Sequence, residues 1–266
     1  MTAAAPGFST LRYEVADAVA TITLARPERR NALSPVVVNE LLHALDAAKA
    51  DPAVRVVVLT GEGKAFSAGG DLGGMSGGDS PLEMKGDFAD LLLAFTTLGK
   101  PTVARVQGHA LGGGLGIVAS CDIAIAAESA ELGTPEVNVG LFPVQIMVVL
   151  ARVMPRRPLV EMILTGKKVP AREAERLGLV TRAVADAELD SHVAKTVDIL
   201  RSKSPTTARL GLAAFHRHID SPLPDSLPEL RTLFYQLVAT EDAREGILAF
   251  LEKRPPTFAW GQDRRS

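Results

Sequence analysis

A single cysteine, Cys121, in 266 residues excludes an intramolecular disulfide framework and a cysteine-built zinc centre. Charge of one sign is also missing. Lys plus Arg number 29 against 31 for Asp plus Glu, so no basic excess exists to drive non-specific nucleic-acid binding. No apolar run approaches the ~18 residues of a membrane span. The N-terminus MTAAAPGFST has no charged stretch leading into an apolar core, and no signal peptide is expected. Neither G-x-x-x-x-G-K-[ST] nor H-E-x-x-H occurs, and His216 and His218 read as an exposed pair on a helix, so neither a P-loop nor a metal site is expected. What is present is ordinary globular composition, 47% apolar and 23% charged. The expectation is a cytoplasmic α/β protein with one main domain and an appendage, binding neither nucleic acid nor membrane.

The apolar runs Leu11–Val15 and Ala18–Leu24 flank Ala16-Asp17 and predict a hairpin. Ser34-Pro35 predicts a helix N-cap with Pro at its first position, and Val37, Leu41, Leu42 and Leu45 continue at helical spacing. Val54–Thr60 is a buried strand. Gly61–Gly78 holds eight glycines and predicts a long irregular loop. A helix is expected over Pro81–Thr97, strands over Thr102–Val106 and Ile123–Ala126, and a second glycine-rich turn over Gly108–Gly116. Beyond Pro143 the pattern is mostly helical, with a break at the proline-rich Ser221–Pro228. A division near residue 200 follows, into a core of residues 1–200 and a helical region of 201–266.

The two glycine loops carry the chemical signal. GKAFSAGGDL (Gly63–Leu72) follows a buried strand, and HALGGGLG (His109–Gly116) lies between a strand and a helix start. Backbone N–H groups in such loops are open to a ligand, and those at a helix start lack partners. One N–H from each loop, aimed at one carbonyl oxygen, makes an oxyanion hole. Glycines serving only tight strand–helix packing are the alternative. Gly114–Ala119 also matches G-x-G-x-x-A with Glu136 22 residues on, but its first glycine lies eight positions past the preceding strand. A dinucleotide fingerprint places it directly after the strand, so a nicotinamide or flavin site is disfavoured.

Gly61–Leu72 (GEGKAFSAGGDL), Gly108–Gly114 (GHALGGG), Cys121-Asp122, Gly133–Glu136 (GTPE) and Glu245–Phe258 (EGILAFLEKRPPTF) together resemble the enoyl-CoA hydratase/isomerase family, the crotonases. The resemblance runs from Arg26-Pro27 to Phe258. It implies an α/β fold built as a spiral of β-β-α turns, with a helical C-terminal region that forms trimers or hexamers. It implies an acyl-CoA thioester substrate, whose coenzyme A is no resident cofactor, and an enolate held by the N–H groups of Gly70 and Gly113. Ala32, Ala68, Asp71 and Leu72 would lie along the CoA arm, and Phe250 and Lys253 would reach a neighbour's CoA. Loop and turn hydrogen bonding is the competing and preferred role for Asp71 and Asp122, and helix packing competes for Phe250.

Glu136 matches the position of a catalytic carboxylate. It follows a proline-fixed turn and precedes the apolar Val137–Pro143, surroundings that raise a carboxyl's proton affinity. The sequence departs from the hydratase pattern at Gly116, where a second Glu is expected. Adding water calls for two carboxylates, whereas moving a double bond calls for one base, so isomerisation is favoured over hydration. A non-catalytic or differently catalytic acyl-CoA binder is a further alternative. Asp79, Glu83, Asp87 and Asp90 are weaker substitutes for the missing acid, and His109 reads as structural. Phe142, Gln145 and Met147 are candidates for the acyl pocket.

Overall fold

A computed structural model describes residues 7–71, 73 and 82–258. Strands β1 (Leu11–Ala16) and β2 (Val19–Leu24) form the expected hairpin. Its two-residue turn, Asp17-Ala18, has positive φ at both positions (48° and 68°), the conformation that matches the twist of paired strands. Helix α1 (Pro35–Ala50) starts as predicted, with the Ser34 side chain accepting from Val37 N–H.

Two sheets then grow together. After β3 (Val56–Gly61) comes the short β4 (Ala65–Ser67), then helix α2 (Phe88–Thr97). After β5 (Thr102–Val106) comes β6 (His109–Leu111), then α3 (Gly113–Ser120). After β7 (Ile123–Ala127) comes β8 (Glu131–Gly133). The first strand of each turn joins a six-stranded sheet of order β1-β2-β3-β5-β7-β10, and the second joins a four-stranded sheet of order β4-β6-β8-β9. Here β9 is Lys168–Pro170 and β10 is Arg182–Val184. This is the β-β-α spiral.

All six residues of β3 are buried because both faces of the large sheet are covered. Val57 and Leu59 enter the main core with Leu41, Leu45, Leu91 and Leu115. Val56 and Val58 enter a second core against Leu189, Val193 and Val197 of α7 (Leu189–Arg201). Between β8 and α7 lie α4 (Ile146–Leu150), α5 (Arg156–Thr165) and α6 (Ala171–Arg176). The chain ends in α8 (Pro205–His218), α9 (Leu223–Val238) and α10 (Glu241–Leu251). Arg55 ties this region to the core by donating to the carbonyls of Arg201 and Phe258, and Ser204 donates to buried Asp242 at 2.5 Å.

Several elements depart from expectation. The first glycine-rich stretch contains β4, whose Ala65, Phe66 and Ser67 are all buried and pair with β6. Helix α2 begins at Phe88, seven residues later than expected. Asp87 caps it by accepting from Ala89 and Asp90 N–H, and Asp90 accepts in return from Asp87 N–H. The chain just before it is pinned open by buried Asn39, which donates to Glu83 O and accepts from Lys85 N–H. The expected break at 221–228 is shorter than predicted: Ser221 and Pro222 lie between α8 and α9, and residues 223–228 are already helical. Prolines at 222 and 224 suit a helix start that donates no hydrogen bond, and α9 continues through Pro228. His216 and His218 are half-buried, with Nε2 atoms 3.7 Å from Asp122 Oδ1 and 3.4 Å from Glu229 Oε2.

The N-terminal segment is held by one carboxylate. Glu40 in α1 is 0% exposed and accepts from the N–H and hydroxyl groups of both Ser9 and Thr10, at 2.6 to 2.9 Å. Burial alone would raise its pKa, but these four bonds outweigh that and hold it below the ordinary carboxylate value. A depressed folded pKa stabilises above the unfolded value and is lost as pH falls through the folded one. Glu40→Ala is expected to destabilise the protein by about 3 kcal/mol at neutral pH, with the deficit shrinking below about pH 4. Urea denaturation of both proteins across pH checks this.

Candidate active site

The two glycine loops meet in space because β4 and β6, which feed them, are parallel neighbours. A side-chain carbon on Gly69 would lie 2.9 Å from Leu111 O and 3.5 Å from Gly113 N, so only glycine permits this approach, and its φ of +93° also requires glycine. Gly70 forms an isolated parallel bridge with Leu33. Leu33 N–H donates to Gly69 O at 2.8 Å and Leu33 O accepts from Asp71 N–H at 3.0 Å. That pattern uses the groups on either side of Gly70 and turns its own N–H away from Leu33. Gly70 N–H has no acceptor among the described residues, and the residue is exposed.

On the second loop, Gly112 sits at φ 51°, ψ −127°, a conformation reserved for glycine, and starts α3. Its N–H donates to Gly133 O at 2.9 Å. Gly113 is the first helical residue, so its N–H is one of the donors the helix cannot satisfy internally. Among the described residues, both glycines singled out in the sequence thus carry amides without an acceptor, on adjoining backbone.

Glu136 lies in the 3₁₀ turn Pro135–Val139, which follows β8, the next strand of the small sheet. A side-chain carbon on Gly112 would lie 2.9 Å from Glu136 Oε1, which puts the carboxyl against the start of α3. Glu136 Oε2 is buried with no hydrogen-bond partner among the described residues, and so is Thr134 Oγ1. Burial raises the Glu136 pKa, opposed only by a hydrogen bond from its own backbone N–H. An acid held this way exchanges a proton closer to neutral pH than a solvated one.

The face of α3 that carries Gly113 and Gly116 is apolar. A side-chain carbon on Gly113 would meet Leu33 Cδ1 at 3.1 Å and Phe88 Cζ at 3.3 Å. One on Gly116 would overlap Ile146 Cγ2 and lie 3.5 Å from Phe88 Cζ. The position where a second carboxylate was expected is therefore filled by a branched side chain from α4. Sequence reading missed Ile146 and Phe88. Periodicity could have flagged Ile146, since Ile146 and Leu150 are the buried i, i+4 pair of α4, but not its contact with Gly116.

The other candidates fall as follows. Ala68 N–H donates to Arg30 O, and Ala32 O accepts from Arg26 Nη1, so both stay beside the Gly70 bridge. The Asp71 carboxylate accepts from Arg26 Nη2 at 3.3 Å, the loop bonding expected of it. Leu72 and Asp79 lie outside the described residues. Asp122 accepts from Thr102 N–H and Oγ1 at 2.7 Å, joining β5 to the start of β7. His109 Nδ1 accepts from Glu131 N–H, a link between β6 and β8. Asp87 and Asp90 cap α2. Phe142 and Met147 line an open apolar groove of about 330 Å³ with Val148, Leu159, Val160 and Leu164, on the side of α4 away from Ile146, and Gln145 is exposed. One residue along a helix turns a side chain by about 100°, so Met147 faces this groove while Ile146 is buried. Phe250 is 82% exposed on α10, and Lys253 follows the helix at φ 55°.

Residues 14–262 match the family model described as enoyl-CoA hydratase/isomerase. The chain belongs to this enzyme family. It is 37% identical over 260 residues to the probable enoyl-CoA hydratase echA8 of Mycobacterium bovis, covering 94% of this chain and 98% of that protein. It is 38% identical over 245 residues to a putative enoyl-CoA hydratase of Thermus thermophilus, covering 90% and 97%. Among solved structures, an enoyl-CoA hydratase of Mycobacterium smegmatis superposes with a TM-score of 0.86 at 34% identity, covering 94% and 98%. The human enoyl coenzyme A hydratase domain-containing protein 3 gives 0.87 at 30% identity, covering 94% and 100%. The family and the crotonase fold expected from the sequence are thereby established. Among the described residues no helix is long and apolar enough to cross a membrane.

Proposed function

We propose that this enzyme moves a carbon–carbon double bond in an enoyl-CoA thioester. The N–H groups of Gly70 and Gly113 receive the thioester oxygen. Glu136 takes a proton from C2 of a 3-enoyl thioester, leaving a dienolate whose charge rests on that oxygen. The same carboxyl then returns the proton to C4, and a 2-enoyl thioester leaves. Electrostatic stabilisation of this kind is strongest where donors are fixed and water is excluded. Coenzyme A belongs to the substrate, and its arm passes Ala32, Ala68, Asp71 and Leu72. The exposed Phe250 and the groove lined by Phe142 and Met147 support packing of copies into a trimer or hexamer, in which Phe250 and Lys253 reach a neighbour's CoA.

The observation that carries this reading is, among the described residues, one carboxyl with a buried oxygen that has no partner, beside two glycine amides without acceptors, with an apolar contact at Gly116. Hydration of 2-enoyl-CoA is the second reading, and the hydratase names of the relatives favour it. Purified enzyme given 3-enoyl-CoA is expected to yield 2-enoyl-CoA faster than it turns 2-enoyl-CoA into 3-hydroxyacyl-CoA. The reverse order of rates would establish hydration instead, and turnover of neither would leave an acyl-CoA binder.

A further inference from the structure

Three side chains from separate elements converge on the first turn of α3. Leu33 comes from the segment before α1, Phe88 from the first position of α2, and Ile146 from the first position of α4. Gly113 and Gly116 are three residues apart, on one face, and all three side chains close that face. Phe88 is not loosely placed. The reciprocal Asp87–Asp90 cap fixes its helix start, and buried Asn39 fixes the chain before it. Ile146 is buried and touches Gly116 closely enough that no side chain fits there. A bound water needs two to four polar partners; the three side chains of this wall offer none, and the unpartnered polar atoms nearby, Glu136 Oε2 and Thr134 Oγ1, belong to the chain after β8 and not to the wall.

We infer that Ile146, backed by Phe88, is the residue that sets the reaction outcome, by denying water a place beside the enoyl group. The inference rests on the isomerase reading above and deepens it. With water kept off this wall, the dienolate formed at Glu136 has only the returning proton to react with there. With water present beside C3 of a 2-enoyl thioester, hydroxyl adds to C3 and a proton to C2, and hydration competes. The wall acts through its shape and dryness, so Ile146 is a specificity-determining residue without a role in proton transfer.

The test compares the ratio of hydration to isomerisation, from 2-enoyl-CoA and 3-enoyl-CoA respectively, in wild type and variants. Ile146→Val keeps both branches at the contact and is expected to leave the ratio unchanged. Ile146→Ala opens room for a water and is expected to raise the ratio by roughly tenfold. Ile146→Thr keeps the branched shape while adding a hydroxyl to the wall, and is expected to raise the ratio too. It stands in if the alanine variant does not fold. A ratio in Ile146→Ala or Ile146→Thr equal to that of wild type, with isomerase activity intact, overturns this inference and leaves the proposed function standing. A wild type that hydrates faster than it isomerises overturns both.

Discussion

Glu136→Gln is expected to lower kcat for the double-bond shift by roughly 10²–10⁴ while changing KM little. The substitution keeps the shape of the side chain and its neighbours at the start of α3. Among the described residues it removes the one carboxyl beside the two glycine amides, and in the proposed mechanism both proton steps depend on that group. The pH profile gives a second check. The ionised carboxyl is the base, so kcat/KM for a 3-enoyl thioester should rise with pH through the Glu136 pKa. Burial puts that rise above 4.5, the ordinary value. The same shift predicts an opposite effect on stability. A carboxyl whose folded pKa is raised stabilises the fold when protonated, and that contribution is lost as pH rises through the folded pKa. Glu136→Gln should therefore be at least as stable as wild type at neutral pH. An inactive variant with a raised melting temperature would show an acid kept at a cost to the fold for the sake of chemistry. A variant that retains full turnover would remove Glu136 from the mechanism.

Gly70→Pro should be nearly as damaging, by roughly 10²–10³ in kcat, and for a different reason. Proline has no N–H, so the substitution deletes one candidate donor and leaves every side chain of the site unchanged. Gly70→Ala is the informative partner. A side-chain carbon at Gly70 meets nothing within 4 Å and the residue's φ is not in the left-handed region, so alanine fits and keeps the N–H. Near-normal rates in Gly70→Ala together with the loss in Gly70→Pro would assign the effect to the amide. Steady-state kinetics on both, with thermal melts to establish folding, decide it. Equal losses in both would point to packing instead.

Local signals in the sequence were legible where a short stretch of chain dictates its own geometry. The Ser34-Pro35 cap, the hairpin around Asp17 and the parallel strands 102–106 and 123–127 all fall near the expected residues. Glu136 was legible as a candidate through the family position it matches, but the expected cause of its burial was not: Val139, Leu141 and Phe142 after it are exposed, and its carboxyl lies instead against Gly112 at the start of α3; the glycine loops were legible because eight glycines have no place in a helix. What escaped depends on partners distant in sequence. Strands of three residues, such as β4, β6 and β8, are held by one another and leave little periodicity of their own. The late start of α2 follows from Asn39, more than forty residues earlier, clasping the chain at Glu83 and Lys85. The filling of the Gly116 position by Ile146 is a contact across 30 residues, and no pattern along the chain encodes it.

The small four-stranded sheet carries a further consequence. Gly70 and Gly113 each follow a strand of that sheet within three residues, and those strands lie side by side. Adjacent strands are spaced by about 4.8 Å, a distance that backbone hydrogen bonding sets without regard to side chains. In the proposed mechanism the separation of the two amides is thus inherited from the ladder itself, like marks on a ruler, and side chains facing the acyl group can change without altering it.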